Sequence, residues 1–201
     1  MAKPRKVVFD VDGVLADFSG AFRAHLNRVF PGINIAKEPA TWSWIDLGVT
    51  SKMFGQAWQS WSAITDVWTM LDPLPDAIVL ADAIQESKYD DAEVWFLTSR
   101  GRSAGRPVIT QTKEWILSNM GVEAANVIVV EHSTNKADVV RALGITHSID
   151  DYAPTIVALN HQRGHDAYLM RKPWNEAELV AYDLPWVKDM YEFVNLTRKA
   201  T

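Results

Sequence analysis

The chain has 201 residues, of which 48% are hydrophobic and 22% are charged, and its formal net charge is -5. This composition is typical of a globular protein with one domain and a smaller accessory unit, and the negative charge disfavours general affinity for nucleic-acid backbones. The absence of cysteine excludes disulfides, thiolate catalysis and cysteine-ligated zinc. No apolar run approaches the roughly 20 residues of a membrane span, and the first residues do not resemble a signal peptide, so a cytoplasmic protein is expected.

The first predicted element is a buried strand that ends in two carboxylates. Residues 7–9 form a β-branched and aromatic run typical of an interior strand in a parallel sheet. Asp10 and Asp12 follow, and Gly13 marks the turn. Ionised carboxylates are too costly to bury without a partner, so this pair must face solvent or a cation. Two hard oxygen donors suit Mg2+, which keeps its other positions for water and phosphate; ordinary turn acids are the alternative interpretation.

Residues 18–75 are predicted to be a helical insertion without a parallel strand. Apolar residues recur at helical spacing from Phe18 to Val29, and the Pro31-Gly32 pair ends that helix. Thr50 or Ser51 is a candidate cap for the next helix. A return to the main domain is expected at residues 71–75, where two prolines disfavour continued helix.

The insertion is rich in tryptophan. It holds five of the nine in the chain: Trp42, Trp44, Trp58, Trp61 and Trp68. Phe54, Trp58, Trp61 and Trp68 are expected close to one helical face. Two interpretations stay open, because these rings would serve equally as the core of a small helical lobe or as an aromatic wall on which a nucleobase could stack.

From residue 76, helical and strand patterns alternate to the end of the chain. Strands are predicted at 94–97, 127–130, 146–149 and 167–170, and helices at 78–86, 107–121, 135–144, 154–162 and after 175. Asn135 is a candidate N-cap for the helix that ends at Gly144. The alternation predicts an α/β fold with a doubly wound parallel sheet, whose core comprises 1–17 and 76–201 and whose small cap comprises 18–75.

Polar side chains recur where the predicted strands end, which is where such sheets bind ligands. They are Asp10 and Asp12 after the first strand, Thr98 and Ser99 after the second, Lys136 opening a helix beyond the third, and Asp150 and Asp151 after the fourth. Taken singly, each has an ordinary explanation as a turn hydroxyl, a solvated lysine or a loop acid. Together they supply an acid nucleophile, a metal site, a hydroxyl donor and a cation at one rim.

These residues match, in order and in placement, the four motifs of the haloacid dehalogenase-like phosphohydrolase superfamily, which the chain resembles. The matching residues are Asp10-Val11-Asp12-Gly13, Thr98 with Ser99, Lys136, and Asp150-Asp151. Within that superfamily, residues 8–18, the tryptophan-rich cap and the loop 171–175 are most similar to 5'(3')-deoxyribonucleotidases and their bacterial and phage relatives. The loop 100–106 carries more arginine than is usual there.

The resemblance implies a Mg2+-dependent phosphatase that works through an aspartyl-phosphate. Asp10 would attack phosphorus, while Asp12 would protonate the leaving group and later activate water. Thr98 and Lys136 would hold phosphoryl oxygens. The Mg2+ ligands would be Asp10, the backbone carbonyl of Asp12, and one acid from the pair Asp150 and Asp151.

The expected substrate is a small phosphorylated molecule, a nucleoside monophosphate. Phe18, Trp42, Trp44 and Trp68 would flank its base or sugar, with Ser99 and Arg100 as further substrate-binding residues. Arg100, Arg102 and Arg106 are candidates for bidentate phosphate binding. No stable nucleic-acid complex and no membrane association are expected, and a homodimer is left open.

Three alternatives compete with this interpretation. Another phosphatase of the same superfamily, acting on sugar phosphates or polynucleotide ends, would keep every catalytic residue and change the ligand of the cap. A signalling receiver domain would carry its phosphorylated aspartate on a later strand and would lack the inserted lobe. A binding protein that has lost turnover is disfavoured because Asp10 and Asp12 are both present.

Overall fold

The computed structural model describes residues 5–160 and 164–198. In this part of the chain, six parallel strands form one sheet in the order β3-β2-β1-β4-β5-β6. The strands are β1 (Arg5–Phe9), β2 (Ala92–Ser99), β3 (Val127–Val130), β4 (His147–Asp150), β5 (Asp166–Met170) and β6 (Trp186–Val187). The helices are α1 (Phe18–Val29), α2 (Ser51–Ser62), α3 (Pro75–Gln85), α4 (Val108–Met120), α5 (Lys136–Leu143), α6 (Ala153–Asn160), α7 (Glu176–Tyr182) and α8 (Met190–Thr197). The doubly wound parallel α/β fold is thereby confirmed.

Strand β1 lies at the centre of the sheet. Val7, Val8 and Phe9 are buried, as expected for a strand covered on both faces. It pairs with β2 on one side and with β4 on the other. The strand order reverses between β1 and β4, and in open α/β sheets this reversal opens a crevice at the carboxyl ends of the strands.

Strand β6 was not expected from the sequence. It consists of two residues, which pair in parallel with Leu169 and Met170 of β5. The sequence pattern predicted a connection between surface helices at this point. A strand this short shows no alternation, so its pairing depends on the neighbouring strand alone.

The helix ends test the cap predictions. Thr50 caps α2, because its Oγ1 accepts a hydrogen bond from the Met53 N–H at 3.2 Å. The prediction that Asn135 caps α5 is wrong, since Asn135 has helical backbone angles and its side chain makes no capping bond. Helix α3 begins at Pro75, three residues before the expected start, with proline in its first turn. Residues 161 and 162, predicted at the end of the next helix, lie outside the described residues.

The insertion contributes α1, α2 and irregular segments. Buried side chains of α1 and α2, such as Phe22 and Trp61, belong to the same hydrophobic cluster as Phe9 of β1. Trp68 lies in a separate 3-10 turn, Val67–Thr69, so it does not share the helical face that its spacing predicted. The division into core and cap domains stays a prediction. Among the described helices, none is both long and apolar enough to cross a membrane.

Candidate active site

Three buried carboxylates meet where β1 and β4 end. Phe9 of β1 is paired with Ile149 of β4, so the next residues, Asp10 and Asp150, come side by side at the same edge of the sheet. Asp10, Asp150 and Asp151 each offer an oxygen within 4.8 Å of the others. The pairing register therefore assembles the acid cluster that the sequence placed at two distant positions.

Lys136 inserts its ammonium group into this cluster. Its Nζ lies 2.8 Å from Asp10 Oδ2 and 2.9 Å from Asp150 Oδ2. The remaining oxygens of these two carboxylates accept backbone N–H bonds, from Val11 at 2.7 Å and from Tyr152 at 2.8 Å. One ammonium faces three buried carboxylates, which leaves the cluster short of positive charge. Because uncompensated buried charge is costly, the site suits a bound cation.

The pKa values reflect this excess of negative charge. Burial and the neighbouring Asp150 raise the pKa of Asp10, against the lowering effect of Lys136. Burial and Asp150 raise the pKa of Asp151 to about 8. Burial lowers the pKa of Lys136, but Asp10 and Asp150 outweigh it and the net shift is upward. A divalent cation would displace protons from such carboxylates.

Asp151 has three neighbours whose contacts with it were not predicted from the sequence. Gly13 has φ +80°, and a Cβ at this position would lie 1.9 Å from Asp151 Oδ2. The indole N–H of Trp174 donates to the same oxygen at 3.1 Å. Asn175 donates to the backbone carbonyls of Asp151 and Met170, both at 2.8 Å. The resemblance had pointed only to the loop 171–175 as a whole.

The carboxylate of Asp12 lies outside the acid cluster and binds Arg100. Oδ1 accepts from Arg100 Nη2 at 2.7 Å, and Oδ2 accepts from Arg100 Nε at 2.8 Å and from the Thr98 hydroxyl at 3.1 Å. Phosphate binding by Arg100 finds no support in this geometry, because the guanidinium is buried against Asp12. Arg106 is likewise engaged, with Asp66 at 2.9 Å and with Glu114.

A cavity of about 420 Å³ opens onto these groups. Its polar side is formed by Asp10, Asp12, Thr98, Ser99, Ser133, Lys136 and Asp151. Its other side is an aromatic wall, which is formed by Phe18, Trp42, Trp44, Phe54, Trp58, Trp68 and Tyr152. Asp150 and Arg100, both sequence-predicted site residues, are not among the lining residues; they contact Lys136 and Asp12 instead.

Most of the aromatic wall belongs to the hydrophobic core or packs against it, namely Phe18, Trp44, Phe54, Trp58 and Trp68. These rings therefore serve as core, and stacking of a nucleobase on them stays a prediction. Trp44 and Trp68 are each 2% exposed yet border the cavity. Phe54 and Trp58 stack within α2, with ring centroids 6.4 Å apart. Trp42 packs edge-on against Tyr152 at 5.7 Å. Ser133 and Tyr152 were not proposed as site residues, although both follow strand ends closely.

The sequence and the fold were compared with known proteins. Residues 5–181 match the family model described as "5' nucleotidase, deoxy (Pyrimidine), cytosolic type C protein". No curated protein matches the chain significantly.

Among solved structures, one similar fold is a haloacid dehalogenase-like family hydrolase from Streptococcus pneumoniae, with TM-score 0.62, 10% identity, and coverage of 98% of this chain and 100% of that one. Another is a HAD family hydrolase from Deinococcus radiodurans R1 with bound phosphate and sodium, with TM-score 0.60, 12% identity, and coverage of 96% and 94%. At such identities the structural likeness shows the fold alone.

Proposed function

Because the chain belongs to the family of cytosolic type C 5' (deoxy, pyrimidine) nucleotidases and is therefore a phosphatase of the haloacid dehalogenase-like superfamily, we propose that it hydrolyses (deoxy)nucleoside monophosphates. The proposed reaction depends on Mg2+ and passes through an aspartyl-phosphate. One observation carries the proposal: a single cavity joins a buried carboxylate and lysine cluster to an aromatic wall. The carboxylate and lysine cluster, with its cation, suits a phosphate, and the aromatic wall suits a nucleobase.

The acid cluster fits a divalent cation with oxygen ligands. We assign the ligand positions to Asp10, Asp151 and the backbone carbonyl of Asp12. Asp150 is assigned to anchoring Lys136, to which it is hydrogen-bonded, because it does not line the cavity, whereas Asp10 and Asp151 do. When bound, Mg2+ supplies charge stabilisation to the phosphoryl oxygens.

In the first step, an Asp10 carboxylate oxygen attacks phosphorus. The bond from phosphorus to the ester oxygen breaks, and Asp12 transfers its proton to that oxygen, so that the nucleoside leaves as a neutral alcohol. Lys136 donates its N–H groups to the phosphoryl oxygens, whereas the Thr98 hydroxyl donates to Asp12 Oδ2 and not to the phosphate as expected from the sequence. Such donors are worth most in a buried site, where water does not compete.

In the second step, Asp12 is a carboxylate and removes a proton from water. The resulting hydroxide attacks phosphorus, the bond from phosphorus to the Asp10 oxygen breaks, and inorganic phosphate leaves. Asp10 returns as a carboxylate and Asp12 as an acid, so the residues are ready for the next substrate.

The aromatic wall accounts for the proposed nucleoside. A cavity of about 420 Å³ lies in the usual size range for small-molecule sites, and stacking on aromatic side chains contributes about 1–3 kcal/mol per base.

A cytoplasmic location and a homodimer stay predictions.

The proposal is tested by phosphate release from deoxynucleoside and ribonucleoside 5'- and 3'-monophosphates and from sugar phosphates, with Mg2+ or with EDTA. We expect release from nucleotides that EDTA abolishes and that Asp10→Asn reduces roughly a thousandfold or more, because the nucleophile is lost. Asp138→Asn, an exchange at a surface acid that pairs with Arg141, is the matched control and should be fully active.

Activity that survives in Asp10→Asn would contradict the mechanism. Release from sugar phosphates alone would keep the mechanism and reject the nucleotide substrate. No release from any ester would favour the alternative of a binding protein.

A further inference from the structure

We propose that Arg100 is a positioning residue that fixes the Asp12 carboxylate for proton exchange with the leaving group. The inference rests on the proposed function, which gives Asp12 its acid–base role. It assigns Arg100 a task different from the phosphate binding expected from the sequence.

The contact between the two side chains is a two-point one. Arg100 donates from Nη2 to Oδ1 and from Nε to Oδ2 of Asp12, at 2.7 and 2.8 Å. Two parallel bonds from a planar guanidinium fix both the position and the rotation of a carboxylate. The Arg100 side chain is 0% exposed and that of Asp12 is 14% exposed, so water competes little for this pair.

The guanidinium is itself held by residues outside the polar side of the cavity. Arg100 Nη1 donates to the Thr112 hydroxyl at 3.1 Å, and that hydroxyl donates to the Val108 carbonyl in the first turn of α4 at 2.9 Å. The guanidinium carbon lies 5.0 Å from the centroid of a Trp68 ring, a distance suited to a cation–π contact. Turning Arg100 toward a substrate phosphate would break all of these contacts.

The hydrogen bonds also single out one oxygen of Asp12 for the proton. Among the described residues, Oδ2 accepts two bonds, from Arg100 and from the Thr98 hydroxyl, while Oδ1 accepts one. A carboxylate oxygen has two lone pairs, so Oδ1 keeps one of them. Asp12 lines the cavity, and we assign the proton exchange to this oxygen.

A residue that acts through the general acid should affect substrates according to their leaving groups. A nucleoside leaves as an alkoxide and requires a proton, whereas p-nitrophenolate is stable without one. Loss of Arg100 should therefore impair hydrolysis of a nucleotide much more than hydrolysis of p-nitrophenyl phosphate. A phosphate-binding arginine would instead affect both esters alike, because they share the phosphoryl group.

The experiment compares kcat/KM for the best nucleoside monophosphate of the panel with kcat/KM for p-nitrophenyl phosphate. Arg100→Lys keeps the charge and removes the two-point contact. We expect it to lower the nucleotide value by about 10- to 100-fold, as misplaced catalytic groups do, and the aryl phosphate value by less than about threefold. KM should not rise for either ester, since slower breakdown of the shared aspartyl-phosphate would lower kcat and KM together. Arg106→Lys, in the same loop and paired with Asp66, is the matched control and should leave both values unchanged.

A double variant tests whether Arg100 acts through Asp12. The double variant Asp12→Asn with Arg100→Lys should have the same kcat/KM for the nucleotide as Asp12→Asn alone. If Arg100 acts only by positioning Asp12, its loss has no further effect once Asp12 is replaced. Thr112→Val removes only one contact of the guanidinium. It should also lower kcat/KM more for the nucleotide than for p-nitrophenyl phosphate, but by a smaller factor than Arg100→Lys. It keeps the inference testable if Arg100→Lys fails to fold.

Three outcomes would overturn the inference. They are a rise in KM for both esters, an equal loss of kcat/KM for both esters, and additive losses in the double variant. In each of these the wild-type chain remains an active nucleotidase, so the proposed function stands. A wild-type chain that hydrolyses neither ester would reject the proposed function and this inference together.

Discussion

At the scale of single residues, Asp151 illustrates how neighbours prepare a functional carboxylate. It is 1% exposed, and its side chain contacts Gly13 and the indole N–H of Trp174. Neighbours of this kind orient a metal ligand, and their loss typically weakens metal affinity by about 10- to 100-fold. Two substitutions test these neighbours separately: one fills the space that Gly13 leaves for Asp151, and the other removes the hydrogen bond from Trp174.

Gly13→Ala should destabilise the protein by roughly 1–3 kcal/mol, because alanine is strained at positive φ and its Cβ would collide with Asp151. The control is Gly144→Ala, which reports the backbone strain alone, since Gly144 has φ +63° and a Cβ added there would meet no atom within 4 Å. Denaturant unfolding of both variants measures the difference. Equal losses would show that the approach of Asp151 does not require the glycine.

Trp174→Phe keeps an aromatic ring but removes the pyrrole part of the indole, with the N–H that binds Asp151. We expect the dissociation constant for Mg2+ to rise about tenfold, while kcat at saturating Mg2+ changes little. Calorimetric titration with Mg2+ measures the affinity without requiring turnover. Trp186→Phe is the control, because Trp186 is 42% exposed and lies on the edge strand β6. An unchanged Mg2+ affinity in Trp174→Phe would reject the role of the indole N–H.

At the scale of elements, strand register and helix starts position the site. The pairing of β1 with β4 sets Asp10 beside Asp150, and α5 begins at Lys136, where the helix dipole adds to its positive charge. Helix α2 presents Phe54 and Trp58 to the cavity. The aromatic wall therefore depends on the stability of a twelve-residue helix.

Thr50→Ala should destabilise the protein by about 1 kcal/mol, because it removes the N-cap bond to Met53. Ser51→Ala, one residue later at an exposed first helical position, should change stability by less than about 0.5 kcal/mol. Thermal or denaturant unfolding of the two variants distinguishes them. A larger loss in Ser51→Ala would identify Ser51 as the effective cap.

At the scale of the whole molecule, the acid cluster couples folding to pH and to metal. The pKa of Asp151 is raised to about 8 and that of Asp10 is also raised, so between about pH 4 and pH 8 the folded chain holds protons that the unfolded chain has released. The stability of the metal-free protein should therefore fall as the pH rises through this window, by up to about 1.4 kcal/mol per pH unit for Asp151, and the raised pKa of Asp10 acts in the same direction. The raised pKa of Lys136 affects stability only at much higher pH.

Three histidines that are at least half-buried change the stability in the opposite direction at lower pH. The pKa values of His25, His147 and His165 are lowered by burial, so stability should also fall as the pH drops below about 6.5. The interval from about pH 7 to pH 8 therefore isolates the carboxylates. Unfolding there should show falling stability in EDTA and a growing stabilisation by Mg2+, which replaces the protons.

Asp151→Asn is the control for this prediction. Without metal, its stability should vary less with pH between pH 7 and pH 8, and it should still fall below about pH 6.5 because of the histidines. Metal-free stability that rises between pH 7 and pH 8 would contradict the assigned pKa shifts.

The sequence by itself determined the features that depend on neighbouring residues. The run 7–9 before Asp10 and Asp12 predicted the central strand, and helical spacing predicted α1 up to Val29. The order of strands and helices indicated the doubly wound sheet, and with it the rim where Lys136 and the pair 150–151 meet. Each of these follows from local periodicity or from a general rule of parallel sheets.

Only the tertiary structure decided which of these side chains touch. Arg100 and Asp12 are 88 residues apart, and Trp174 reaches Asp151 across 23 residues. A polar residue in a loop can face a ligand or another side chain, and the sequence around it is the same in both cases. Burial in the folded chain decides between a ligand and another side chain. A guanidinium removed from water must pair with a carboxylate of the protein that lies beside it.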